Sequence, residues 1–228
     1  MISFHIVICK QEISNLIFSH LYAPGPCAIR NPMNKLIIIV GPSGVGKTTL
    51  ARALCQKQGF AMAYEQHSER PFQTLFKQDP KYALANQMDY LMVRAEQEYI
   101  LRQSDKPALM DGGLDLDFFG FTRLFHSHGW LSDEEFNLCQ RFHTLTRSLL
   151  PPPDLIIALS ASAKTISERL SARNRINIAS SEDAESLSRF TNEWLESISE
   201  DQIIRLDISH EGMDYAHSVP IILDKIRS

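Results

Sequence analysis

The stretch LIIIVGPSGVGKT at residues 36–48 decides the fold of this chain. Its first part, Leu36 to Val40, is a continuous aliphatic run, which is typical of a strand buried on both faces of a sheet. Its second part, Gly41 to Thr48, fits the pattern G-x-x-x-x-G-K-[ST] at every fixed position. A buried strand, a glycine-rich loop and a helix start in this order predict a phosphate-binding loop, the P-loop.

This loop predicts a site for a nucleoside triphosphate. Glycines let the backbone N–H groups turn inward towards phosphate oxygens, and the helix that follows adds the positive end of its dipole. Lys47 is expected to reach the β- and γ-phosphates, and the Thr48 hydroxyl is expected to bind Mg²⁺. We therefore predict ATP and Mg²⁺ as cofactors, with the nucleotide held by Gly41, Ser43, Gly44, Val45, Gly46, Lys47, Thr48 and Thr49.

Beyond the loop, short apolar runs alternate with longer helical patterns. Further strands are predicted at residues 60–65, 108–111, 154–159 and 203–207. Helices are predicted at residues 47–58, 80–103, 117–128, 132–149, 162–172, 182–197 and 213–226. Strands that alternate with helices pair in parallel through right-handed crossovers. The expected fold is α/β, a three-layer α/β/α P-loop NTPase fold with a five-stranded parallel sheet and a helical lid.

Length and composition indicate one globular domain with a short appendage. The 228 residues are 44% hydrophobic and 22% charged, which suffices for a full core. Residues 22–32 contain three prolines and a glycine, so we expect residues 1–32 to be a flexible N-terminal extension and residues 33–228 to be the domain. The extension could also lie upstream of the true start.

Charge and hydropathy argue against two classes of partner. A net charge of −4 leaves no broad cationic surface for a nucleic-acid backbone. No apolar run approaches the ~18 residues of a membrane helix.

The four cysteines are scattered without a Cys-x-x-Cys pair, which favours a reduced, cytoplasmic setting.

Ligands of an open parallel sheet bind beyond the carboxyl ends of its strands, and two carboxylates are expected there. Asp111 ends the third strand and could hold the metal, with a helix cap or turn as the alternative. Glu65 ends the second strand and could accept a proton from an attacking hydroxyl, with a solvated surface position as the alternative.

Two further polar groups lie on predicted helices or directly after one. Arg169, Arg173 and Arg175 could form a basic lid over the transferring phosphoryl group, or a solvated helix end. Gln87 and Arg94 are seven residues apart on one helical face, with Asp117 available to pair with Arg94. These residues could bind the polar edge of a base, or form an ordinary solvent-exposed helix face.

Together these motifs resemble the deoxynucleoside kinase family, in particular its bacterial deoxyadenosine, deoxyguanosine and deoxycytidine kinases. The similarity covers most of residues 35–226 and rests on the P-loop, Tyr64-Glu65, Gln87 with Arg94, Asp111, Asp117 with Phe121, and the three arginines. The resemblance implies Glu65 as the base acting on a 5′-hydroxyl and Lys47 with the three arginines as further catalytic groups. It also implies Gln87, Arg94, Asp117 and Phe121 as the nucleoside site, and a homodimer.

The sequence departs from that family at the end of the third strand, where Gly112-Gly113 stands in place of Arg and Ser. The leading prediction is an ATP- and Mg²⁺-dependent kinase for the 5′-hydroxyl of a deoxynucleoside. A kinase for another small hydroxylated metabolite is the first alternative, and Gly112 favours it. The second alternative is a catalytically silent regulatory protein that binds ATP. A GTPase is disfavoured because no Asn-Lys-x-Asp stretch lies in a suitable place.

Overall fold

A parallel five-stranded sheet forms the centre of the computed structural model, which describes residues 33–63, 70–171 and 181–227. The strands are β1 (Leu36–Val40), β2 (Ala61–Ala63), β3 (Ala108–Asp111), β4 (Leu155–Ser160) and β5 (Ile203–Asp207). Their spatial order is β2-β3-β1-β4-β5, and every neighbouring pair is parallel. The strand that leads into the P-loop therefore lies in the middle, as a strand buried on both faces should.

Helices connect and cover these strands. They are α1 (Lys47–Lys57), α2 (Pro71–Gln78), α3 (Ala83–Leu101), α4 (Leu114–Leu116), α5 (Arg123–Ser127), α6 (Asp133–Leu149), α7 (Ala163–Ser171), α8 (Ser181–Glu196) and α9 (Ser218–Arg227). A π-helical turn, Asp117–Thr122, joins α4 to α5, and short 3₁₀ turns lie at Pro80–Tyr82 and Glu200–Gln202.

Alternate residues of β1 point into two separate apolar layers. Ile37 and Ile39 pack in the layer formed with α1 and α9, whereas Ile38 packs in the layer that contains Trp194 and Leu195 of α8. All five β1 residues are at most 1% exposed. Two covered sheet faces confirm the predicted three-layer α/β/α fold.

Several element boundaries differ from the predictions. The predicted helix at 213–226 begins only at Ser218, because Tyr215 has φ +51, which an α-helix does not allow. The predicted helix at 117–128 is the π-helical turn followed by α5. Helix α2 was not predicted, although Pro71 at its first position is a usual start signal.

Two predictions fall outside the described residues. These are the flexible extension at residues 1–32 and the end of the second strand at residues 64 and 65, since β2 is described only as Ala61–Ala63. Within the described ranges, every helix is too short or too polar to span a lipid bilayer.

A buried charge cluster ties α3 to α6 and to α4. Glu98 is fully buried and accepts hydrogen bonds from Arg147 at 2.8 and 2.9 Å and from Arg102 at 3.0 Å. Asp115 accepts from Arg147 at 2.9 Å and lies 2.7 Å from Nε2 of His143. Burial raises the pKa of Asp115, but the contacts with His143 and Arg147 outweigh burial and leave that pKa below its usual value.

Candidate active site

The P-loop leaves β1 at the carboxyl edge of the sheet and curls around its own lysine. Gly41, Gly44 and Gly46 have φ values of +145, +81 and +113, which glycine adopts without steric cost. The Lys47 ammonium group folds back over the loop and donates to Gly41 O at 2.9 Å and Pro42 O at 3.2 Å. The loop therefore has the backbone turn and the cation that the motif predicts for a phosphate site.

Thr48 and Asp111 meet beside this loop. The Thr48 hydroxyl donates to Oδ2 of Asp111, and the Asp111 side chain is fully buried. The contact depends on sheet register, because Asp111 pairs with Ile39 on β1, just before the loop starts. A hydroxyl and a carboxylate are the hard oxygen ligands that Mg²⁺ prefers, so these two residues fit the predicted metal site.

Arg169, one of the predicted lid arginines, contacts the P-loop backbone. Its Nη1 donates to Val45 O, and its Nη2 donates to Ile208 O at 3.4 Å. Tyr215, which the sequence did not point to, donates from its hydroxyl to Gly46 O at 3.1 Å. The loop is thus held from α7 and from the connection between β5 and α9.

The predicted catalytic base and two of the three lid arginines belong to segments outside the described ranges. Glu65, Arg173 and Arg175 lie outside the described residues, so their roles stay predictions.

The predicted nucleoside residues come together between α3 and the π-helical turn. Gln87 is 2% exposed, and its Nε2 donates to Asp117 O at 3.2 Å and to the Thr122 hydroxyl at 2.8 Å. The Nε of Arg94 donates to Oδ2 of Asp117 at 3.0 Å, and its Nη1 donates to Gln97 Oε1 at 3.3 Å. Gln87, Arg94 and Asp117 therefore form one buried polar unit.

The π-helical turn shapes this unit. Asp117 lies at its start and Phe121 near its end, where Phe121 is half-buried. Thr122 closes the turn by donating to Asp117 O at 3.1 Å. Sequence reasoning did not single out Thr122 or Gln97, because single polar residues on buried faces carry no signal beyond their position.

The turn after β3 is made by two glycines. Gly112 has φ +82 and donates its N–H to Ile39 O at 2.9 Å, and Gly113 has φ +152. Residues of L configuration rarely adopt these values, so the local backbone requires the Gly112-Gly113 pair that the sequence carries.

Comparisons with known proteins agree on one family. Residues 37–226 match the family model described as deoxynucleoside kinase. The deoxyadenosine/deoxycytidine kinase of Bacillus subtilis is 23% identical over 204 residues, which cover 86% of this chain and 94% of that protein. The deoxyguanosine kinase of Bacillus subtilis is 30% identical over 141 residues, which cover 61% of this chain and 67% of that protein.

A solved structure shares the fold. The deoxyadenosine kinase from M. mycoides, solved with the products dCMP and a flexible dCDP, superposes with a TM-score of 0.69 at 21% identity. The superposition covers 84% of this chain and 98% of that one. The sheet and its flanking helices are therefore those of the P-loop kinase fold predicted from the sequence.

Proposed function

We propose that this chain, which belongs to the deoxynucleoside kinase family, transfers the γ-phosphoryl group of ATP to the 5′-hydroxyl of a deoxynucleoside with the help of Mg²⁺. Family membership makes the chain a phosphotransferase that acts on a nucleoside hydroxyl with a nucleotide donor. It favours the leading prediction over a kinase for another metabolite and over a silent ATP-binding protein. The observation that supports the finer proposal is the contact of Thr48 with Asp111 beside Lys47.

The donor side of the proposal follows from the P-loop. Backbone N–H groups of Gly41 to Thr48 would surround the phosphates, and Lys47 would leave its carbonyl partners to meet the β- and γ-phosphates. Thr48 and Asp111 would hold Mg²⁺, which supplies positive charge against the phosphate oxygens when bound.

The acceptor side follows from the buried polar unit on α3. On binding, the Gln87 amide would exchange its contacts with Asp117 O and Thr122 for a base edge, to which it offers a donor and an acceptor. The paired Arg94 and Asp117 add a forked donor and a carboxylate. These groups suit the polar edge of a base, and Phe121 suits its apolar face. Since relatives are named for deoxyadenosine, deoxycytidine and deoxyguanosine, these nucleosides are the first candidates.

In the proposed reaction, the 5′-oxygen attacks the γ-phosphorus in line with the departing ADP. A new P–O bond forms to the 5′-oxygen, the bond to the β-phosphate oxygen breaks, and Glu65 takes the hydroxyl proton. Arg169, Arg173 and Arg175 would stabilise the charge on the equatorial oxygens. The products are ADP and the deoxynucleoside 5′-monophosphate.

The test is transfer of label from γ-labelled ATP to each of the four deoxynucleosides, with Mg²⁺ or with excess chelator. We expect a labelled 5′-monophosphate from at least one deoxynucleoside, only when Mg²⁺ is present. Glu65→Gln should lower the rate at least about tenfold, whereas the control Glu196→Gln, at the exposed end of α8, should retain it. Absence of labelled product with all four nucleosides would contradict the proposal.

We also propose a homodimer formed through α3 and α6. Met92 and Tyr99 are spaced seven residues apart on α3, and Leu138 and Leu145 repeat this spacing on α6, with Leu149 one turn further. All are large apolar side chains that are more than 40% exposed, and the two helices pack side by side. Exposed apolar side chains on two neighbouring helices are suited to burial against the same helices of a second copy.

The dimer can be tested by light scattering after size-exclusion chromatography. Leu145→Glu should shift the dimer towards monomer, because it buries a charge in the interface. Met213→Glu is the matched control, since Met213 is 83% exposed outside these helices. A monomeric wild type would exclude the dimer.

A cytoplasmic location completes the proposal and fits the free thiols of Cys55 and Cys139.

A further inference from the structure

We propose that Tyr215 is a positioning residue that keeps the P-loop in the shape that receives the nucleotide, and this inference rests on the donor side of the proposed function. Tyr215 lies between β5 and α9 and is 2% exposed. Its hydroxyl donates to Gly46 O at 3.1 Å across a sequence separation of 169 residues. This hydrogen bond links the connection between β5 and α9 to the start of α1.

The fit between Tyr215 and the loop is close. A Cβ atom at Gly46 would lie 2.2 Å from the Tyr215 hydroxyl oxygen, so a side chain at residue 46 would collide with it. Tyr215 itself has φ +51, and within the described ranges it is the only non-glycine residue with a positive φ. A backbone conformation this rare persists only where its surroundings hold it, and such positions cluster at functional sites.

A second side chain acts on the neighbouring carbonyl. Arg169 donates to Val45 O, and a Cβ atom at Gly46 would lie 3.3 Å from its Nη1. Two consecutive carbonyl groups of the loop therefore each accept a hydrogen bond from a side chain. Gly46 O also accepts from the backbone N–H of Leu50 at 3.0 Å, the first bond of α1.

Because the peptide bond is planar, these hydrogen bonds also fix the directions of the neighbouring N–H groups. In a trans peptide unit, the C=O of one residue and the N–H of the next lie in one plane and point in opposite directions. Hydrogen bonds to Val45 O and Gly46 O thus direct the N–H groups of Gly46 and Lys47 away from Arg169 and Tyr215. These are P-loop amides that the motif assigns to phosphate oxygens.

The same hydrogen bonds also strengthen the amides as donors. A donor on a carbonyl oxygen polarises the peptide unit and makes its N–H group a better hydrogen-bond donor to an anion. Tyr215 therefore acts on the nucleotide through Gly46 and Lys47, without needing to touch the nucleotide itself.

The test compares Tyr215→Phe with Tyr82→Phe, which makes the same chemical change in the half-buried 3₁₀ turn Pro80–Tyr82. We expect Tyr215→Phe to raise the Kd and the KM for ATP about five- to tenfold, the effect of one hydrogen bond, and to leave the KM for the deoxynucleoside unchanged. Tyr82→Phe should match the wild type. A lower Tm with unchanged ATP affinity would mean that Tyr215 is only structural and would overturn the inference.

Two further measurements keep the result interpretable. Equilibrium titration with ATP tests Tyr215 even if the wild type transfers no phosphoryl group, so failure of the proposed reaction is recognised separately. If Tyr215→Phe does not fold, Tyr215→His replaces it, since histidine tolerates positive φ, its ring refills much of the space, and it is too short to reach Gly46 O. Wild-type ATP affinity in that variant would likewise overturn the inference.

Discussion

The guanidinium group of Arg94 lies directly over Gly112, with its Nη2 atom 3.2 Å from the position that a Cβ atom at residue 112 would occupy. Arg94 therefore approaches the end of β3 closely, one residue from Asp111 and its contact with Thr48. Because Gly112 has no side chain, Arg94 can lie here and pair with Asp117. This arrangement connects the proposed nucleoside residues on α3 to the proposed metal site at the end of β3.

Gly112→Ala should displace Arg94 and weaken binding of the deoxynucleoside. The new methyl group also meets the strain of φ +82, so we expect the KM for the deoxynucleoside to rise at least about tenfold, with a smaller change in the KM for ATP. Steady-state kinetics with each substrate varied in turn measure both constants.

Gly129→Ala is the matched control for this prediction. Gly129 also has positive φ, at +69, but a Cβ atom there would meet no neighbour within 4 Å. It should therefore lower stability without changing either KM. Equal effects of the two variants on the KM for the deoxynucleoside would show that displacement of Arg94 is not the cause.

Asp111→Asn should weaken the response to Mg²⁺. The change keeps the size of the side chain and its contact with Thr48 but removes the negative charge that a divalent cation requires. We expect kcat at saturating ATP to fall at least about tenfold, and the Mg²⁺ concentration for half-maximal rate to rise. Asp207→Asn, at the exposed end of β5 on the same edge, should keep the wild-type Mg²⁺ dependence.

Glu98→Gln should be strongly destabilising. Arg102 and Arg147 both donate to the fully buried Glu98 carboxylate, and loss of its charge leaves the buried Arg102 and the partly buried Arg147 with one carboxylate fewer. The expected loss is about 3–5 kcal/mol in the free energy of unfolding, measured by urea denaturation. Glu96→Gln, two residues away and half-buried, should cost less than about 1 kcal/mol.

Asp115 should make folding stability depend on acid pH. Burial raises its pKa, but His143 and Arg147 outweigh burial, so the folded-state pKa lies below the unfolded value of about 3.9. The stabilisation is therefore complete above that unfolded value and is lost as the pH falls through the folded-state pKa.

Asp115→Asn tests this pH dependence because it removes the titrating group. Between about pH 6 and pH 3, the free energy of unfolding of the variant should fall less than that of the wild type. Asp105→Asn, at an exposed position, provides the comparison for loss of a charge alone. Parallel curves for Asp115→Asn and the wild type would contradict the prediction.

The parts of the fold that local sequence determines were predictable. The aliphatic run of β1 and the glycine spacing of the P-loop specify a strand, a turn and a helix start, and the structure places β1 at the predicted residues. The meeting of Thr48 with Asp111 followed from one general rule, that parallel strands end at a common edge.

Features that depend on distant partners were not predictable. Nothing near Tyr215 in the sequence indicates that its hydroxyl meets Gly46, and the apolar pattern around it favoured a helix instead. The spacing of Gln87 and Arg94 suggested their grouping with Asp117, but only the family resemblance favoured a binding face over a solvated one. The hydrogen bond from Gln87 to Thr122 needed the structure.

The π-helical turn at Asp117–Thr122 makes the winding of the backbone part of the proposed nucleoside site. A π-helical turn accommodates an additional residue compared with a regular helix, and consecutive α-helical residues differ by about 100° around the axis. Wound as a regular α-helix, the same residues would therefore point Phe121 in a different direction relative to Asp117. Under the proposed function, the winding of this turn would help to set the placement of Phe121 against the base, in addition to the identity of the side chains.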